Sequence, residues 1–340
     1  MRDLVVAGGG PIGLVTALYA ARAGLDVVVR EPRRGVIDKA CGEGLMPAAV
    51  ADLKDLGVVL EGHPIDGIRY VDGSRSVDAA FRAGPGRGVR RTALLRALQA
   101  AVLTAGVQVE ERPVHDVGDG GDHVLVDGEP ARYLVAADGL HSPVRRLLGL
   151  DVAVGTARRF GQRAHAVVPP WSDFVEVHWS AVGEAYVTPV ADSLVGVAVL
   201  TERRATFEEL LSAFPTLAPH LDGQKLTRVR GAGPLRQRSR HQVRGRVLLV
   251  GDAAGYVDAL TGEGIAVGIA QARAAVAAVA AGNPARYAHD WRRVTRRHDL
   301  LTRGLVAATR HPALRRRIVP AAAALPGVFG AAVNQLARPA

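Results

Sequence analysis

The 340-residue sequence predicts an α/β fold in three parts: a parallel-sheet domain, a mainly antiparallel β-sheet inserted into it, and helices at the C-terminus. Three observations predict it. Apolar runs at Leu4–Ala7 and Leu25–Arg30 flank the helically periodic stretch Ile12–Ala23, the strand–helix–strand start of a parallel sheet. From Phe160 to Leu200 the texture changes to short runs, several of them alternating, such as FVEVHW and EAYVTPV, broken by Pro, Asp, Ser and Gly. A buried-strand pattern, VLLV, returns after Arg246, so the alternating segment lies between two parts of one α/β domain.

The remaining elements follow from local signals. A helix is predicted over Met46–Leu56, with Pro47 tolerated in its first turn and Gly57 stopping it. Thr92–Ala105 forms another, with Leu94, Leu95, Leu98, Val102 and Leu103 on one face. A glycine-containing helix spans about Gly264–Ala281, and the tail from Pro284 is helical and basic. The predicted boundaries are 1–155 and 232–285 for the discontinuous parallel-sheet domain, 156–231 for the inserted substrate-binding sheet, and 286–340 for the helical region.

In LVVAGGGPIG, the residues Gly8, Gly10 and Gly13 hold the G-x-G-x-x-G positions between a strand and a helix. Gly8 permits a tight turn, Gly10 admits a pyrophosphate, and Gly13 lets helix and strand pack closely. The helix N-terminus offers its free N–H groups to the phosphates. Glu31, 18 residues past Gly13, is placed to accept hydrogen bonds from the adenosine ribose and disfavours a 2′-phosphate there. This is a Rossmann-like dinucleotide site.

Two later motifs also end strands: Asp138-Gly139 in YLVAADGLHSPVRR, and Gly251-Asp252 in RVLLVGDAAGYVDALTGEG. With the glycine loop they resemble the class A flavoprotein monooxygenase superfamily over roughly residues 1–285. The resemblance implies an FAD-binding domain in which Asp252 bonds a ribityl hydroxyl and the helix after Gly262 and Gly264 points at the flavin. It implies that Asp138 and Gly139 support the FAD and an approaching nicotinamide, and that Arg91 in VRRTALLRAL reaches the cofactor. NADPH or NADH is then a transient electron donor, since one dinucleotide fold is visible.

The loop KACGEGLMP, together with the later TGEG, resembles the geranylgeranyl reductase branch of the same superfamily and sets Cys41 beside the substrate. The branch's Tyr-x-Trp-x-Phe-Pro pattern is missing, the corresponding stretch being Glu184–Pro189. His178, Trp179 and Tyr186 in the inserted sheet are candidate pocket residues. The expected activity is NAD(P)H-consuming hydroxylation of an aromatic, phenolic or polyketide-like, lipophilic small molecule of secondary metabolism through a flavin hydroperoxide. The alternatives are reduction of isoprenoid double bonds and a non-enzymatic nucleotide- or lipid-binding role.

Composition bounds the rest. The net charge of +10 comes almost entirely from arginine, with only Lys39, Lys54 and Lys225 as lysines in an Ala-, Gly- and Val-rich chain. That pattern reads as coding bias, and no nucleic-acid motif accompanies it. The exception is HPALRRR before IVPAAAALPGVFGAAV, which fits peripheral contact with a membrane. A single cysteine closes no intrachain disulfide and suggests a reducing cytoplasm. The eleven histidines show no metal-ligand spacing, so no metal is expected. No secretory leader or spanning run of about 18 apolar residues is evident.

Overall fold

The computed structural model describes residues 1–73, 75–155 and 158–338. Its parallel sheet runs in the order Val247–Leu249, Glu129–Ala136, Arg2–Ala7, Val27–Arg30, Gln108–Glu110. Strands buried on both faces explain the unbroken apolar runs, since Leu4, Val6, Leu134 and Val135 are fully inaccessible. One face carries helices Pro11–Arg22, Arg91–Thr104 and Gly264–Ala280. A second apolar cluster around Val28, Val126 and Leu249 fills the other face.

The topology brings the three sequence motifs together. Ala7, Ala136 and Leu249 are register partners on adjacent parallel strands, so the chain leaves all three at the same sheet edge. Gly8, Asp138 and Gly251 follow directly. This is the carboxyl-end crevice where open α/β sheets bind ligands.

The second sheet has seven strands, in the order Arg230–Ala232, Phe160–Ala166, Leu194–Thr201, Gly183–Ala191, Phe174–Ser180, Gly67–Asp72, Arg75–Ala80. It is antiparallel except where Phe174–Ser180 pairs in parallel with Gly67–Asp72. The sheet is therefore larger than the 156–231 insertion, recruiting the hairpin 67–80 and Ala232. The expected start at 156 lies outside the described residues. One face buries Ala185, Val187, Val197 and Val199 under Phe207, Leu210 and Phe214. A capping box of Thr206 and Glu209 starts the short helix carrying Phe207 and Leu210.

The expected helices start and stop within about one residue of the observed Pro11–Arg22, Pro47–Asp55, Arg91–Thr104 and Gly264–Ala280. Leu103 departs from the predicted face, being 78% exposed beside buried Val102. The tail forms one long helix, Pro284–Arg310, then Pro312–Arg315, Ile318–Ala324 and Pro326–Leu336. Asn334 clamps the last helix to the edge of the second sheet, donating to Ala80 O at 2.8 Å and accepting from Arg82 N at 2.7 Å.

Candidate active site

A cavity of about 510 Å³ opens at the carboxyl ends of the parallel strands and extends between the two sheets. That size is in the range of small-molecule sites. Gly8, Gly10, Arg91, Asp138, Gly139, Gly251, Asp252, Gly262 and Gly264 all line it.

The glycine loop follows from steric necessity. Gly8 has φ +105°, and a Cβ there would lie 2.6 Å from Ala137 O. A Cβ on Gly13 would lie 1.8 Å from Gly8 O, so only glycine lets the helix pack against the loop. Gly10 differs: it caps the helix, and a Cβ on it would meet no protein atom within 4 Å. The space beside it is the cradle a pyrophosphate needs.

Glu31 stands at the end of the second strand, as expected, but is buried and bonded to protein groups. Its Oε2 accepts from Gly9 N–H at 2.8 Å and both oxygens accept from Arg33. Burial opposes its charge, yet the Arg33 and Gly9 hydrogen bonds outweigh it and hold the carboxyl below its ordinary range. Its direct partners are the loop backbone and Arg33, and Arg33 is the one that lines the cavity.

The second and third motifs bring Asp138, Arg91 and Asp252 to the cavity wall. Asp138 Oδ2 accepts from Val144 N–H at 2.9 Å, while Oδ1 is buried and unpartnered. Arg91 Nε is likewise buried without a partner. No protein group among the described residues hydrogen-bonds the Asp252 carboxylate; burial raises its pKa, opposed by the nearby charges of Arg91, Lys39 and Arg145. Asp252, on the cavity wall with no protein partner for its carboxylate among the described residues, offers the acceptor that the hydroxyls of a polyhydroxyl diphosphate need. FAD therefore fits these residues.

Arg145 braces the two motifs. Its guanidinium is buried, donating to Asp252 O (3.2 Å) and Ala253 O (2.9 Å) on one side and Leu140 O (3.0 Å) on the other. Helix Gly264–Ala280 starts at the cavity wall, its Glu263 N-cap making no side-chain cap, so its free N–H groups favour negative charge there.

The loop Lys39–Leu45 closes the opposite wall, and Glu43 anchors it. Glu43 holds φ +61°, an uncommon conformation for a non-glycine residue. Its Oε2 lies 2.7 Å from His165 Nε2, and Oε1 accepts from Arg91 N–H at 2.8 Å. Arg163 Nη1 lies 3.2 Å from His165 Nδ1, so the ring is held between Arg163 and Glu43. The anchor thus ties the loop both to the second sheet and to the start of the Arg91 helix. Cys41 lines the cavity on this loop.

Beyond the motifs the lining turns apolar, with Ile68, Tyr70, Val177, Tyr186, Leu200 and Val333 in one contiguous cluster. Tyr186 presents its ring there and donates its hydroxyl to Leu260 O at 2.7 Å. His178 does not reach the cavity. Strand alternation turns it with Glu176 to the other face, where it lies 3.1 Å from Glu176 Oε2 and 2.8 Å from Thr216 Oγ1. Trp179 packs edge-on to Tyr70 in the apolar cluster, with ring centroids 5.2 Å apart.

The family model described as FAD binding domain matches residues 1–284. The chain belongs to this family. It is an FAD-dependent oxidoreductase. Menaquinone reductase of Mycolicibacterium smegmatis is 29% identical over 91% of this chain and 83% of its own length. A 3-(3-hydroxy-phenyl)propionate/3-hydroxycinnamic acid hydroxylase of Mycobacterium sp. (strain JLS) is 31% identical, over 44% of this chain and 30% of its own length. The fold matches the geranylgeranyl bacteriochlorophyll reductase-like protein of Thermoplasma acidophilum, with TM-score 0.76 at 20% identity, over 93% of this flavoprotein and 90% of that chain.

An Asp252→Ala flavoprotein should bind FAD about 10- to 100-fold more weakly, because a hydrogen bond to a charged acceptor, worth about 1.5–3 kcal/mol, is lost. Fluorescence titration of the apoprotein checks this. An unchanged affinity would remove Asp252 from the site.

Proposed function

We propose that this flavoprotein reduces a lipophilic quinone or isoprenoid molecule, drawing electrons from NADPH or NADH. The observation that carries the reading is the continuity of the flavin site with an apolar chamber around Ile68, Tyr70, Val177, Tyr186 and Leu200, while His141, which also lines the cavity, is exposed, with Nε2 3.2 Å from Gly233 O. Burial pushes the hydroxyls of Tyr70, Tyr186 and Tyr256 well above their ordinary value, so none takes a proton near neutral pH. Activating a phenol for hydroxylation calls for such a base. A reduced chain or ring calls mainly for an apolar enclosure that excludes water.

The reductase relative supports this reading because its similarity runs through the substrate sheet, whereas the hydroxylase relative matches under half of the chain. Reduction thus moves ahead of hydroxylation, the reaction the sequence placed first. FAD, when bound, supplies the two-electron transfer between nicotinamide and substrate. The chain's own residues position and enclose. Asp252, Asp138 and Arg91 hold the cofactor, the N-terminus of helix Gly264–Ala280 favours the reduced form's negative charge, and the loop anchored by Glu43 walls off water.

The test is anaerobic turnover of the holoenzyme with NADPH and a prenylated naphthoquinone. The expected product is heavier by two hydrogen atoms. Turnover that requires oxygen and places isotopically labelled oxygen in the product overturns reduction in favour of hydroxylation.

A further inference from the structure

The last helix, Pro326–Leu336, is apolar on both sides. Its inner face sets Phe329 and Val333 at i and i+4 into the cluster around the chamber, and Val333 and Leu336 line the cavity itself. Its outer face leaves Val328 64% exposed, with Leu325 at the preceding bend 59% exposed. Ala331 and Ala332 are exposed beside them. No residue from 318 to 337 carries a charge. An uncharged helix that turns apolar side chains to water leaves a surface a partner could cover.

The charge around this element says which partner. Arg315, Arg316 and Arg317 immediately precede it, and residues 286–317 contain ten arginines against two aspartates. Arg316 and Arg317 are exposed, and no carboxylate pairs with either among the described residues. Arg303 and Arg310 are paired, with Asp299 at 3.0 Å and Glu202 at 3.7 Å, so the uncompensated charge beside the apolar segment is that of Arg316 and Arg317. An uncharged apolar bend rimmed by uncompensated arginine matches the surface of an anionic bilayer, apolar below and negative at the headgroups. Among the described residues no single helix is long and apolar enough to cross a membrane, and the final helices bend by 102°. Helix Pro326–Leu336 keeps Phe329 and Val333 buried in the protein, so only its outer face is free to meet a membrane surface.

We propose that the bend at Leu325, with Val328 and the flanking Arg316 and Arg317, docks this enzyme on an anionic lipid surface, and that helix Pro326–Leu336 separates that surface from the substrate chamber. A lipid-borne substrate then enters past one helix, without crossing water. This rests on the lipophilic-substrate reading above, but its test reads membrane binding and not catalysis.

The experiment is co-flotation of the FAD-loaded enzyme with vesicles of phosphatidylcholine, alone or mixed with phosphatidylglycerol. The mixed vesicles should carry the protein and the neutral ones should not, with binding weakening as salt rises. Arg316→Gln with Arg317→Gln should weaken binding about 30-fold, at about 1 kcal/mol per arginine. Leu325→Ser with Val328→Ser leaves the charge unchanged and should weaken it about 10-fold through lost apolar insertion. Flavin content reports that each variant is folded. Binding insensitive to the serine pair would mean only non-specific attraction of a basic protein and overturns the proposal. So does an absence of flotation, or self-association in solution that the serine pair abolishes. Docking without reduction of any prenylated quinone would instead count against the reductase reading alone.

Discussion

Gly10→Ala is expected to leave the fold intact and to weaken FAD binding by about 100-fold or more. The added methyl meets no protein atom within 4 Å, so the folded apoprotein has no reason to lose stability. It fills the space in front of the helix N-terminus, where overlap with a phosphate costs about 3 kcal/mol, the scale of overpacking in a rigid site. Gly13→Ala supplies the contrast. Its Cβ would overlap Gly8 O at 1.8 Å, a backbone atom that cannot swing aside, so the helix or the loop must move. That variant should lose both flavin and stability. Urea unfolding of the two apoproteins, paired with FAD titration, separates the roles; equal loss of stability in both contradicts them.

Arg159→Met should cost about 3–5 kcal/mol of stability, the usual result of stripping the cation from buried carboxylates. Arg159 donates to Glu184 Oε2 at 2.5 Å and lies 3.3 Å from Asp258 Oδ2, and all three side chains are buried. Burial already raises the pKa of both carboxyls above the ordinary value, against the pull of Arg159. Without the arginine their folded-state values rise further. A carboxyl with a raised folded pKa binds more protons folded than unfolded, so the deficit should be largest near neutral pH and shrink as pH falls through that value. Equilibrium unfolding at several pH values reads this directly. A deficit under about 1 kcal/mol, or one that grows on acidification, contradicts the assignment.

The legible parts of this chain were those whose cause is local. Gly8, Gly10 and Gly13 are dictated by a turn and a helix start within six residues, and Asp138 and Asp252 each follow a strand whose apolar run marks it. Their convergence required only that the three strands be neighbours in a parallel sheet. The hairpin 67–80 was not legible, because what places it in the second sheet is pairing with Phe174–Ser180, about a hundred residues away. His178 was misplaced for a related reason. Both faces of its strand are buried, so alternation alone does not say which side meets the cavity. The Glu43–His165 anchor joins residues 122 positions apart, and its one local sign is an acid set between glycines in CGEG. Arg33 and Arg145 were hidden among many arginines; only the structure shows one at the cavity wall and the other bracing two motifs.

FAD titration of the apoprotein measures most directly whether three distant motifs build one site. One FAD per chain is predicted, with Gly10→Ala, Asp138→Ala and Asp252→Ala each weakening the same binding event. Saturable binding that none of the three changes, or an apoprotein that takes up no flavin, would contradict it.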